Sequence, residues 1–442
     1  MAMVVKNNMP AKNTLNQLDK NDKALAKSLK KVASGMRING AADDASGFAI
    51  SEKMRVQING LEQDVDNAQT GNSMLKVAEG GLQSTVDILN TLKEKVINAA
   101  NDTNTDADRA VIQKELDQAI DQLDENANVS YNGKVMLDGS HNNEVLEPGT
   151  RTVLSNESLS ADATENTKLL DLKDSTGRNL GIRGDSKIEF SYVYKGKTYV
   201  TTLDPVNNTK LGKMFGLSKD AEGKKPDSNI LAMTLSDIVG QDRMGEDVTT
   251  VHGNTALLFT AGAAGIESQI SGLTINVINH DGTLNKTANA VLNDFTEAIR
   301  AEDPSPDNAL VFQIGTKSNQ TVKIGFSDMR ATALGLRAVD GSTLNIGTQK
   351  NANAAISVLD LAMQKALNQQ TTVGSMQSRL EYTVSNLTTA SENTQSSESV
   401  IRDANMAKEM TEYTKNNVIT QAAQSMLAQA NQNSSQVLSL LQ

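Results

Sequence analysis

Proline is absent from residues 11–147 and 307–442, although six prolines occur in the chain: Pro10, Pro148, Pro205, Pro226, Pro304 and Pro306. A proline inside a helix costs about 3 kcal/mol. Two proline-free flanks of this length therefore permit very long helices at both ends, and the prolines mark a different middle.

Apolar spacing fills both permissions. Leu15, Leu18, Leu25, Leu29, Val32 and Met36 follow alternating steps of three and four, with Asp22 as the polar exception. After the breakers Asn39-Gly40 and Gly47, a new phase runs Met54, Ile58, Leu61, Val65, Ala68, Leu75, Leu82, Val86, Leu89 and Val96. Its exceptions are Asn72, Glu79 and Lys93. The phase predicts roughly 65 Å of helix at about 1.5 Å per residue. Thr105 and Asp108 have capping-box spacing ahead of the stripe Ile112, Leu116, Ala119 and Leu123. The C-terminal flank repeats the pattern with Ala352, Ile356, Leu359, Met363, Ala366, Val373, Leu380, Val384, Leu387 and Ile401. Gln370, Gln377, Ser391, Thr394 and Glu398 interrupt it. The last stripe is Ile419, Ala423, Leu427, Ala430, Val437 and Leu441. Seams this interrupted are weak alone, so the terminal segments are expected to be disordered in a monomer and ordered on association.

The middle carries strand signals. Ile188, Phe190, Tyr192 and Tyr194 alternate before the turn "KGK", and Leu273, Ile275 and Val277 alternate before "HDG". Residues 312–326 read as a hairpin that belongs with the helical ends. The expected fold is mainly α with an α+β insert: an antiparallel coiled-coil and helical-bundle core from both chain ends, a core hairpin, and a central outer domain. The boundaries are 1–45 with 403–442, 46–145 with 307–402, and 146–306.

Composition narrows the function. There is no cysteine, which excludes disulfides, thiolate nucleophiles and cysteine metal sites. The net charge of −11 argues against a general nucleic-acid binder. Residues 1–37 are locally basic, with Lys6, Lys12, Lys20, Lys23, Lys27, Lys30, Lys31 and Arg37 against Asp19 and Asp22. No apolar run approaches transmembrane length. "MAMVV" is too short for a signal-peptide core, so an exported chain would not use an ordinary cleaved signal. His141, His252 and His280 are far apart, and neither a phosphate-cradling loop nor a His-Glu-x-x-His motif is present. Asp43-Asp44 reads as helix capping rather than a cation site. The methionines Met54, Met363, Met406, Met410 and Met426 read as core filler. No enzyme, cofactor or metal is expected. The architecture suits a self-assembling structural subunit, with seam residues Leu15, Leu18, Leu25, Leu29, Val32, Ile419, Ala423, Leu427, Ala430, Val437 and Leu441.

"ASGMRINGAADDASGFAISEKMRVQINGL" at 33–61 closely resembles the N-terminal signature of bacterial flagellin. "SRLEYTVSNLTTASEN" at 378–393, "SVIRDANMAKEM" at 399–410 and "QAAQSMLAQANQNSSQVLSLL" at 421–441 resemble its C-terminal signature, and 312–336 resembles its core hairpin. The resemblance implies a flagellar filament subunit for swimming motility, a homopolymer whose segments 1–45 and 403–442 line the filament channel. It further implies export unfolded through the flagellar type III apparatus with an export chaperone, and assembly beside junction proteins and under a cap. The location implied is extracellular. Hook–filament junction proteins share the helical ends, but "MLAQANQNSSQVLSLL" looks like the major subunit. An adhesin role could lie in the insert.

In the family, the stretch matching "ILNTLKEKVINAAND" at 88–102 commonly reads Leu-Gln-Arg-x-Arg-Glu-Leu, which implies an axial-contact patch also gripped by the Toll-like receptor for flagellin. Here the patch offers Leu89, Asn90, Thr91, Lys93, Glu94 and Lys95, with Glu115 on the next helix. Thr91 stands where the main Arg is expected and Lys95 where a Leu is expected. An Arg fork makes directed hydrogen bonds that a Thr cannot, and Lys at an apolar contact would desolvate a charge. Weakened receptor signalling is therefore expected.

Overall fold

A computed structural model describes residues 8–440 except 161, 165, 205, 207–208, 212–230 and 251–254. Lys6, Pro205, Pro226, His252 and Leu441 of the sequence reading lie outside the described residues. Seven α-helices occur among the described residues: α1 Met9–Ser34, α2 Ala45–Ala99, α3 Asp106–Ala127, α4 Lys286–Leu292, α5 Ala331–Leu334, α6 Gln349–Arg402 and α7 Met406–Leu440. The chain divides into two compact units, one of 1–69, 313–320 and 382–442, the other of 70–312 and 321–381.

Helix boundaries follow from capping chemistry. Asn8 accepts from the Ala11 N–H at 3.1 Å to start α1, and Gly35 ends it at φ 71°. Asp44 accepts from the Gly47 N–H at 2.9 Å at the head of α2, the capping role expected of it. Thr105 and Asp108 form the full capping box of α3, with Asp doing the work of the preferred Glu. Thr348 accepts from the Asn351 N–H at 3.2 Å at the head of α6, and Asn405 from the Lys408 N–H at 3.2 Å at the head of α7.

In the first unit, α1 packs along α7. The chain ends of α1 and α6 are tied by backbone bonds, Arg37 N–H to Arg402 O at 2.7 Å and Ala404 N–H to Gly35 O at 2.9 Å. Arg402 is buried, bonds Glu52 at 2.6 Å and lies 5.6 Å from the Phe48 ring. The tip of the hairpin formed by Leu310–Gln313 and Thr321–Ile324 meets α2 where Asn67 donates to Gln313 O at 3.3 Å. A Cβ at Gly60 would lie 2.8 Å from Thr316, so Gly60 makes room for that tip.

In the second unit, the α2–α6 phase buries Leu75, Leu82, Leu89 and Val96 with Leu359, Ala366, Val373 and Leu380. Leu116, Ile120 and Leu123 of α3 are equally buried. The insert supplies antiparallel sheets, one ordered Ile270–Ile278, Lys187–Tyr194, Lys197–Leu203 and another Thr296–Ile299, Val153–Asn156, Ala256–Ala261, Leu231–Ser236. The predicted "KGK" turn places Lys195 at φ 50° and Gly196 at φ 69°, the positive pair a tight hairpin demands. Phe190, Tyr192, Phe259, Ile275 and Val277 form the insert core, which Leu361 of α6 joins. Strand Ile270–Ile278 approaches α6 so closely that a Cβ at Gly272 would sit 2.3 Å from Val358 Cγ2.

Candidate assembly seam and exposed helix patch

The terminal helix pair divides the expected seam into two lines. The line of α1 that is buried or half-buried runs Ala11, Thr14, Leu18, Asn21, Leu25, Ser28 and Val32, in alternating steps of three and four. Its counterpart on α7 is Tyr413, Asn416, Thr420, Ala423, Leu427 and Ala430. Asn416 donates to Ser28 Oγ at 3.0 Å, and Lys31 pairs with Glu409 at 3.1 Å. This inward line is half polar. Asn21 Nδ2 and Thr420 Oγ1 are buried without a hydrogen-bond partner.

Leu18, Leu25, Val32, Ala423, Leu427 and Ala430 of the expected seam thus lie on the inward line. Leu15 (47% exposed), Leu29 (50%) and Ile419 (37%) do not, and face outward within this unit. Met426 is also exposed, as are Met406 and Met410, so these methionines do not act as core filler within one chain. Val437 falls in α7, and Leu441 lies outside the described residues. Burial of polar Ser28 and Thr420 alongside exposed leucines was not signalled by hydrophobic spacing, which runs apolar residues of neighbouring lines together whether or not each has an intrachain partner.

The basic N-terminal segment is partly internal. Lys27 bonds Asp43 at 3.0 Å, and that hydrogen bond, followed by the Asn39 N–H, holds the Asp43 carboxyl below its ordinary range. Asp43 is therefore an ion-pair partner. Among the described residues no group of three or more His, Cys, Asp or Glu is placed to hold a metal.

In the second unit, the polar interruptions of α2 are answered by polar residues of α6. Asn72 Nδ2 reaches Glu381 at 3.5 Å, Gln377 Nε2 reaches Glu79 at 2.9 Å, Gln370 Nε2 reaches Gln83 at 2.9 Å, and Lys93 pairs with Asp360. Three of the position sums are 453 and the Gln377–Glu79 pair is offset by one helical turn, so the four follow one antiparallel alignment. Lys93 is thus a rung of the α2–α6 ladder.

The rest of the helix patch has a definite geometry. Leu89 is fully buried in the core, so it positions the patch and offers no contact surface. Asn90, Thr91 and Glu94 are exposed. The Thr91 hydroxyl donates back to Asp87 O at 3.0 Å, which occupies its proton within the helix. Lys95 bridges to Glu115 on α3 at 2.9 Å, with side-chain exposures of 39% and 56%.

Comparison with known proteins gives the family. The model described as bacterial flagellin N-terminal helical region matches residues 5–142, and that described as bacterial flagellin C-terminal helical region matches residues 356–441. A flagellin of Clostridium tyrobutyricum is 33% identical over 432 residues, covering 97% of this chain and 99% of the relative. A flagellin of Bacillus subtilis (strain 168) is 28% identical over 459 residues, covering 99% and 100%. The solved structure titled as FliC from Burkholderia pseudomallei aligns over 70% of this chain and 99% of its own, at 19% identity and a TM-score of 0.26. Two family models spanning both helical ends, in the order and places where the long helices stand, and a full-length relative agree: the chain belongs to the bacterial flagellins.

Proposed function

We propose that this flagellin polymerises into the flagellar filament by covering the outward apolar line of its terminal helix pair with the same segments of neighbouring subunits. The observation that carries this reading is the exposure of Leu15, Leu29, Ile419 and Met426 on helices that already have a packed, half-polar inward line. Large apolar side chains at heptad spacing on a two-helix unit are the usual mark of an association face. In this reading, segments 1–45 with 403–442 form the inner tube, 46–145 with 307–402 the outer tube, and 146–306 the outer surface. The filament is extracellular. Export through the type III apparatus with a chaperone, seating on junction proteins and assembly under a cap belong to the same proposal, and a cysteine-free chain suits a narrow export channel. Replacing Leu29 and Ile419 together with Asp tests it: the variant should stay folded by circular dichroism yet fail to form filaments. Normal filaments from that variant would remove the basis for the reading.

A second reading concerns the innate receptor. Thr91 and Lys95 stand at the Arg and Leu positions of the family patch, and Lys95 is engaged by Glu115 instead of offering an apolar surface. Interface anchors lost in this way can cost about 2 kcal/mol or more. Weak Toll-like receptor signalling is the expected consequence. Thr91→Arg with Lys95→Leu should raise the response in a reporter-cell assay; an unchanged response would count against it.

A further inference from the structure

One buried amine is used by neither the seam nor the patch. Lys365, on α6, is 4% exposed. Its Nζ lies 3.2 Å from Glu297 Oε1, 3.2 Å from Gln269 Oε1 and 3.5 Å from Ala333 O. Gln269 is itself 7% exposed, and the Glu297 side chain 8%. The Gln269 amide nitrogen donates to Thr332 O, so the amide is held from both ends. Nearby, strand Ile270–Ile278 is pressed onto α6 at Gly272, which fixes Gln269 beside that helix.

Burial pushes the Lys365 pKa down, and Arg300 adds to this, while Glu297 and Glu302 pull in the opposite direction. Burial disfavours the Lys365 ammonium, and a carboxylate able to accept its proton lies 3.2 Å away, so one proton passes from Lys365 to Glu297 before the reaction. The product is a free amine held against a primary amide with a carboxyl group alongside. Amine, amide and acid are the three groups that amide exchange requires.

We propose that Lys365 and Gln269 join in an intramolecular isopeptide bond, with Glu297 carrying the proton. The Nζ lone pair attacks Gln269 Cδ, and the carbonyl electron pair moves to Oε1. Glu297, carrying the first proton, gives it to Nε2 and takes in exchange the second proton that Nζ sheds. The Cδ–Nε2 bond breaks, ammonia leaves and the carbonyl reforms. Nothing is oxidised or reduced, and no co-reactant is needed. The bond closes only in the folded chain, because residues 269 and 365 meet only there. It would tie an insert strand covalently to a core helix in a protein without disulfides.

Intact-mass and tandem mass spectrometry of the full-length folded protein test this. The expected result is a mass about 17 Da below that of the sequence, one ammonia lost, with a branched peptide joining the Gln269 and Lys365 segments. Glu297→Gln should restore the full mass with an unchanged circular dichroism spectrum, and Lys365→Arg should also abolish the branch. A wild-type chain at full mass overturns the proposal, even if the variants fail to fold. A loss of about 17 Da without the branched peptide also overturns it, since a succinimide at Asn39-Gly40 would give that loss. A branched peptide that persists in Glu297→Gln removes Glu297 from the step.

Discussion

At the scale of single residues, burial and hydrogen bonding assign charges that composition leaves open. Asp64 of α2 is buried, with one carboxylate oxygen lacking a partner, and burial raises its pKa. A folded pKa above the unfolded one means the folded chain holds the proton more tightly. The destabilisation is therefore present in full above the folded pKa and disappears as pH falls below the unfolded value near 3.8. Asp64→Asn should raise stability at neutral pH by about 1 kcal/mol in denaturant unfolding, and a lower stability would refute the assignment. Asp174 shows the reverse sign. The Thr176 hydroxyl, with the Arg178 and Thr176 N–H groups and the Arg178 side chain, holds its pKa at about 2. Its contribution is present above 3.8 and is lost as pH falls through about 2. Thr176→Val should move the Asp174 titration upward in an NMR pH series; an unmoved titration would show that the hydroxyl bond is unimportant. Lys365 was not legible in the sequence. It falls outside the seam phase, and a lysine on a helix is ordinarily solvated.

At the scale of elements, α2 and α6 were the most legible parts of the chain. Every position of the phase from Met54 to Val96 is buried or half-buried, including Asn72, Glu79 and Lys93. What the spacing could not show is that those three faults meet polar partners on α6 in one register. A polar rung costs less in its own register than when slipped against leucine, so the rungs set alignment more than strength. Exposed pairs of the Lys93–Asp360 kind should show a coupling of about 0.2–1 kcal/mol in a double-mutant cycle, and zero coupling would reduce the rung to coincidence. Leucine at both Asn72 and Gln377 should alter filament waveform by removing register control; an unaltered waveform would sink that idea. The α1–α7 pair was less legible. Periodicity found Leu18, Leu25 and Val32, but it joined them to Leu15 and Leu29, which point the other way. Spacing alone does not separate two neighbouring apolar lines on one helix, and under the proposed assembly the exposed line is the one covered by another subunit. The site patch was misread in one respect for a related cause: Leu89 marks the stripe, and a stripe residue is core.

At the scale of the whole molecule, the division of labour follows from these lines. Most of the apolar phase of α2 and α6 is used inside the chain, and so is the aromatic core of the insert. The terminal pair keeps a half-polar intrachain contact and leaves Leu15, Leu29, Ile419 and Met426 exposed. The most direct test is electron microscopy of the purified full-length chain under polymerising conditions, with Leu29→Asp/Ile419→Asp alongside. The account predicts long filaments from the unaltered chain and none from the variant. An unaltered chain that stays monomeric, or a variant that polymerises equally well, would contradict it.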